Sequence, residues 1–152
     1  MDKTLVIKEA QKYLSKGQID KAIEQYLIAI KFNRYYPDAF YNLGNAYVSQ
    51  GHIDKAMEQY LQTVKIKPDY PDAHHNLGVA YKSKGLLNKA IEHYLLSIKF
   101  KPDYPKAHHN LGLAYKFRGD TELAIREFNK ALRLRPGWEL PRKALEEISE
   151  EL

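Results

Sequence analysis

Residues 71–104 read PDAHHNLGVAYKSKGLLNKAIEHYLLSIKFKPDY, and residues 37–70, directly before them, read PDAFYNLGNAYVSQGHIDKAMEQYLQTVKIKPDY. About twenty of the thirty-four aligned positions are identical, more than shared helix propensity produces, and self-similarity at this period marks a stack of supersecondary units. Two helical patterns flank a glycine inside the unit. Leu77, Ala80 and Tyr81 fall on one face of a first helix, and Ala90, Ile91, Tyr94 and Ile98 on one face of a second. Pro71 stands where a helix tolerates proline, Gly85 interrupts the pattern, and Pro102 stops the second helix. Gly78, in mid-helix, costs about 1 kcal/mol against alanine. Its presence predicts that the second helix approaches the first too closely for a side chain. Each unit is then an antiparallel hairpin whose apolar face needs neighbours to cover it.

The same landmarks recur down the chain as Phe40, Leu43, Gly44, Tyr47, Gly51, Ala56, Tyr60 and Pro68, then Leu77, Gly78, Tyr81, Gly85, Ala90, Tyr94 and Pro102, then Leu111, Gly112, Tyr115, Gly119, Ala124, Phe128 and Pro136. This pattern resembles the tetratricopeptide repeat. His74 and His108 depart from it, standing where the family usually has tryptophan or another large apolar residue. The resemblance covers nearly the whole chain and implies an all-α fold, a right-handed α-solenoid of stacked antiparallel helix hairpins.

Residues 3–36 form a degenerate first copy: Tyr13, Gly17, Ala22, Tyr26 and Ala29 keep register, while Glu9 and Ala10 replace the Leu-Gly pair and Arg34 the proline. Terminal repeats are atypical because one face meets water. The copies at 37–70, 71–104 and 105–138 follow without linkers, and residues 139–152 form a capping helix with Leu140, Ala144, Leu145, Ile148 and Leu152 on one face. The expected organisation is one domain, 1–152, free-standing or part of a longer protein.

Composition narrows the function. A net charge of +5 with interspersed signs favours solubility more than nucleic-acid binding. There is no cysteine, hence no disulfide framework or thiolate chemistry. No signal-peptide core or membrane-spanning run is present, so a cytoplasmic protein without membrane insertion is expected. No phosphate-binding glycine loop, nucleophile motif or metal-ligand spacing occurs, so no catalytic residue, metal or cofactor is assigned.

The resemblance instead places a peptide-binding groove on the first helices, at Tyr41, Asn42, Asn45, His75, Asn76, Lys82, Lys106, His109, Asn110, Leu113, Lys116 and Phe117. Asn42, Asn76 and Asn110 form a ladder whose amides can both donate to and accept from a peptide backbone. A clamp for a C-terminal carboxylate, known in chaperone-binding members, is incomplete. Asn45, Asn76 and Lys106 occupy three of its five positions, but Tyr41 and Asn110 stand where it needs cations. His75 and His109 are expected to face the groove, with His74 and His108 partly packed. Equivalent histidines on successive helices lie too far apart to share one zinc ion. Tyr36, Tyr70, Tyr104 and Trp138 are expected to pack between neighbouring hairpins, and Lys21–Glu24, Lys55–Glu58 and Lys89–Glu92 to pair on the solvated face.

The expected role is therefore a non-catalytic scaffold for a protein or peptide partner, monomeric or weakly self-associating. A self-associating assembly scaffold and a substrate-recruiting segment of a larger protein are the alternatives. RNA binding, as by pentatricopeptide repeats of similar length, is disfavoured by the Gly-Ala-Pro signature and the modest charge.

Overall fold

A computed structural model describes residues 2–151, with the Lys3 side chain left aside; Leu152 of the expected capping face lies outside the described residues. Among the described residues there are nine helices and no strand: α1 (Lys3–Ser15), α2 (Ile19–Phe32), α3 (Pro37–Ser49), α4 (Ile53–Ile66), α5 (Pro71–Ser83), α6 (Leu87–Phe100), α7 (Pro105–Arg118), α8 (Thr121–Leu134) and α9 (Glu139–Glu151). The chain divides into two compact units, Met1–Ala73 and His74–Leu152.

All four hairpin turns close the same way. Gly17, Gly51, Gly85 and Gly119 adopt φ between 70° and 90°, a left-handed conformation open to glycine at little cost. The amide after each glycine donates to the carbonyl of the signature tyrosine five residues back, Gln18 to Tyr13, His52 to Tyr47, Leu86 to Tyr81 and Asp120 to Tyr115, each at 2.9 Å. The glycine amide itself donates to the carbonyl three residues back. This pair of bonds satisfies the orphaned carbonyls at the end of each first helix.

Mid-helix glycines do what their position predicts. A methyl group on Gly44 would sit 2.6 Å from Cε1 of Tyr60, one on Gly78 2.5 Å from Cε1 of Tyr94, and one on Gly112 2.7 Å from Cε1 of Phe128. These three rings are fully buried, and each occupies the space that a side chain on the facing glycine would need.

In the first unit the core gathers Val6, Ile7 and Ala10 from α1, Ala22, Tyr26 and Ala29 from α2, and Ala39, Leu43 and Ala46 from α3. Tyr26 and Tyr60 occupy equivalent positions with different fates. The Tyr60 hydroxyl donates to Oδ1 of Asn45 at 2.7 Å, whereas the Tyr26 hydroxyl is buried without a partner. Burial also pushes the Tyr26 hydroxyl pKa up. An orphaned buried hydroxyl is costly and a satisfied one mildly favourable. Tyr26→Phe is therefore expected to raise stability by up to about 1 kcal/mol, and Tyr60→Phe to lower it by about 1 kcal/mol, in urea unfolding. Equal effects of one sign would contradict this pairing.

In the second unit the core joins Ala90, Ile91 and Tyr94 of α6, Leu111, Ala114 and Tyr115 of α7, Ala124 and Phe128 of α8, and Ala144 and Ile148 of α9. The last helix thus covers the final hairpin, with Pro141 also buried in its opening turn. Leu140 departs from expectation: it is 55% exposed and lies off the covered face.

The lysine–glutamate expectation also needs correcting. The Lys21, Lys55 and Lys89 ammoniums lie over the rings of Tyr13, Tyr47 and Tyr81, 5.5–5.6 Å from the centroids. Ring faces across the turn attract these cations, and no ion pair to Glu24, Glu58 or Glu92 forms among the described residues.

Candidate functional site

In the first unit, α3 carries Tyr41, Asn42 and Asn45. Tyr41 is half-buried, 5.9 Å from the ring of Tyr60 and 5.1 Å from that of Tyr70. Tyr70 is pinned in turn, its hydroxyl donating to Oδ1 of Asp38 at 2.8 Å; burial and this bond push its pKa up. Asn45 accepts from Tyr60, so part of its amide serves the scaffold.

The second unit repeats the ring arrangement with histidines. His75 packs 5.1 Å from Tyr104, and His109 packs 4.8 Å from Trp138 and 5.6 Å from Phe128. His75 and His109 are only 8% and 6% exposed, which overturns their expected exposure to the groove. The physical reason is the aromatic residue twenty-nine positions later, which folds back over each imidazole. Tyr70, Tyr104 and Trp138 accordingly make these ring contacts inside their own repeats.

Burial spends part of the amide ladder. Nδ2 of Asn110 lies 2.9 Å from Nε2 of His75, and Nδ1 of His75 lies 3.3 Å from Oδ1 of Asn76. An amide N–H can only donate, so Nε2 of His75 accepts and Nδ1 carries the ring proton. The imidazole thus ties α7 to α5. By contrast, Nδ1 of His109 is buried without a partner, and burial together with the Lys82 charge lowers its pKa.

What α5 and α7 leave uncovered is a strip of mixed character. Val79 is 44% exposed and Phe117 81% exposed. Lys82, Leu113, Lys116 and Phe117 line a depression of about 300 Å³. Lys106 is exposed in the first turn of α7. Val79 escaped the sequence reading, although it shares the repeat register of Asn45 and Leu113. The Lys116 ammonium is held by two carboxylates of α9, Glu147 at 2.7 Å and Glu151 at 3.8 Å. The hydrogen bond to Glu147 raises its pKa. Lys82 has no ion-pair partner among the described residues.

On the other side of α5 and α7, two equivalent positions hold different polar pairs. Nδ1 of His74 lies 3.1 Å from Nδ1 of His93, so one proton is shared between two rings. His93 also stacks on Tyr81, and Glu92 and Lys89 are its charged neighbours. One repeat later, Nδ1 of the buried His108 lies 2.6 Å from Oε2 of Glu127, and its Nε2 donates to the Pro102 carbonyl at 2.7 Å. Lys130 donates to the other Glu127 oxygen at 2.8 Å. Burial alone would push the Glu127 carboxyl up, but the bonds from His108 and Lys130 outweigh it and hold it below its ordinary value. No group of three or more His, Cys, Asp or Glu side chains suited to a metal gathers among the described residues.

Burial, reinforced by His74, lowers the His93 pKa. A lowered folded pKa means that the unfolded chain takes up the proton first as pH falls. Stability is therefore present above the unfolded histidine value, about 6.5, and is lost as pH drops below it. His109 acts in the same direction. The second unit is expected to lose thermal stability as pH falls below about 6.5, and His93→Gln, which copies Gln59 one repeat earlier, to flatten that slope. Scanning calorimetry against pH checks this; an unchanged slope would exonerate the imidazole pair.

With the geometry in place, comparison with known proteins identifies the architecture. The TPR repeat model matches residues 10–51, 44–85 and 80–116, and the tetratricopeptide repeat model matches 105–138. The chain belongs to the tetratricopeptide repeat family. Among solved structures of tetratricopeptide type, it is similar to a crystal structure of MamA, at 29% identity over 89% of this chain and 79% of that one, with a TM-score of 0.81. MamA 41-end from Desulfovibrio magneticus RS-1 shares the fold over 99% of this chain and 86% of its own, at 21% identity and a TM-score of 0.89. The first TPR of Spaghetti (RPAP3), bound to the HSP90 peptide SRMEEVD, aligns with 76% of this chain and 91% of its own, at 24% identity and a TM-score of 0.73. No curated protein sequence matches. No helix among the described residues is long and apolar enough to cross a membrane. Against the tetratricopeptide signature, the departures at His74 and His108 are the positions that carry the polar pairs beneath the strip.

Proposed function

We propose that this tetratricopeptide chain is a non-catalytic protein-interaction scaffold, and that the first-helix face of its second unit holds a peptide segment or helix of a partner. The observation carrying this reading is the strip formed by Val79, Lys82, Leu113, Lys116 and Phe117. An aromatic side chain as exposed as Phe117, beside an apolar depression and two cations, has no structural duty that explains it. Exposed aromatic anchors ringed by polar groups are typical of binding surfaces. The backbone beneath is fixed by the Asn110–His75–Asn76 contacts, so little ordering entropy opposes association. The peptide-bound Spaghetti domain, with the same fold, supports the reading by likeness. Asn42, Asn45, Asn76, Lys106 and Asn110 then contribute whatever hydrogen-bonding capacity the scaffold leaves them.

A photo-crosslinking residue placed at Phe117 tests this, with one at the exposed Leu95 of α6 as control. Position 117 is expected to cross-link a partner from the source cells, and Val79→Ala with Lys82→Ala, added to that cross-linking chain, to abolish capture while helicity is unchanged. Cross-links mainly to a second copy of the chain would favour the self-associating scaffold instead. Capture at position 95 alone would overturn the assignment of the face.

A further inference from the structure

Lys116 already shows which chemistry its surroundings accept. Two carboxylates reach it, both from α9, and the nearer makes a 2.7 Å hydrogen bond. Both glutamates are well exposed, with side chains 63% and 68% accessible, so neither is held there by packing. Two positives, Lys82 and Lys116, line this part of the strip, and Glu147 and Glu151 are the carboxylates found on Lys116. Beside the ammoniums stand the apolar groups Val79, Leu113 and Phe117. The complementary ligand presents a carboxylate next to a bulky aliphatic side chain.

Resting on the binding role proposed above, we infer that the occupant of this face is an acidic, aliphatic peptide segment of a partner, and that the acidic edge of α9 competes with it for Lys116. The face alternates between a resting state, with Lys116 bound to Glu147 and Glu151, and an occupied state, with the partner's carboxylate in their place. An exposed ion pair of this kind contributes little to stability and is screened by salt. The competition is therefore shallow, and a ligand overcomes it without unfolding α9, whose Ala144 and Ile148 stay packed in the core.

The test uses the full chain and three end-blocked hexapeptides of one pattern, Glu-Glu-Leu-Glu-Glu-Leu, Lys-Lys-Leu-Lys-Lys-Leu and Ser-Ser-Leu-Ser-Ser-Leu, followed by backbone amide NMR at low salt. The acidic peptide is expected to bind best and to shift the resonances of Val79, Lys82, Leu113 and Phe117. Glu147→Gln combined with Glu151→Gln is expected to tighten its binding about two- to fivefold, the size of an exposed ion pair. Lys82→Gln with Lys116→Gln is expected to weaken it at least fivefold, and Lys116→Arg to retain most of it. If all three peptides bind the strip equally, or the glutamine pair leaves the affinity unchanged, the acidic preference and the competition fail while the binding face survives. If no peptide perturbs the strip, the binding face fails with them.

Discussion

Glu127→Ala is expected to lower the unfolding free energy of the second unit by about 3 kcal/mol at neutral pH, the scale for removing one partner of a buried charged pair. The carboxylate is 9% exposed and receives bonds from His108, itself 5% exposed, and from Lys130. Lys130 sits at the margin and regains water when Glu127 is removed. His108 does not, and its Nδ1 is left facing a void. Replacing both partners is a different matter, because repeat two fills the same two positions with Phe40 and Gln59. His108→Phe with Glu127→Gln is therefore expected to recover most of the loss, because it leaves neither a buried charge nor an unpartnered imidazole. The pH dependence has a definite sign. The folded Glu127 pKa is depressed, so its stabilisation is present above the unfolded glutamate value, about 4.3, and fades as pH falls through the folded value. The deficit of Glu127→Ala should shrink below about pH 4. Urea unfolding at pH 7 and about pH 3 decides, and a deficit that grows in acid would contradict the assigned polarity.

Gly112→Ala comes next, with an expected loss of about 1–3 kcal/mol towards the upper end, from overpacking. The new methyl would meet Cε1 and Cδ1 of Phe128 at 2.7 and 2.8 Å. Phe128 is completely buried and cannot swing aside, so α8 itself must shift. Helix propensity alone predicts the opposite, a gain of about 1 kcal/mol from glycine to alanine. The sign of the measured change thus separates close packing from propensity. Phe128→Leu introduced into Gly112→Ala should restore part of the stability; no rescue would mean that the ring is not the obstacle.

The period, the glycines and the prolines were readable because each performs a backbone task that no other residue performs as well. Gly78 announced a close approach, and the structure supplies the ring of Tyr94 at that spot. Side-chain partners were less legible where they depend on residues from outside the helix in question. His75 and His109 looked exposed from their helical register, yet Tyr104 and Trp138 cover them from the following connection. Asn110 looked available to a peptide, yet its Nδ2 group is turned towards His75. Lys21 looked suited to Glu24, three residues away, yet it lies over Tyr13 on the far side of the turn. Val79, Lys82, Leu113 and Phe117 form a strip because nothing among the described residues of the second unit covers them, and a sequence read one helix at a time does not report that.

The slot behind the first helices has a further consequence. Repeat two fills it with Phe40 and Gln59, repeat three with two imidazoles sharing one proton, and repeat four with a histidine hydrogen-bonded to a glutamate. A protein built from copies of one shape is therefore chemically graded from end to end. On acidification the carboxy-terminal hairpins should begin to fray at conditions their amino-terminal counterparts ignore, so the end bearing the proposed recognition surface would be the first to let go of its cargo.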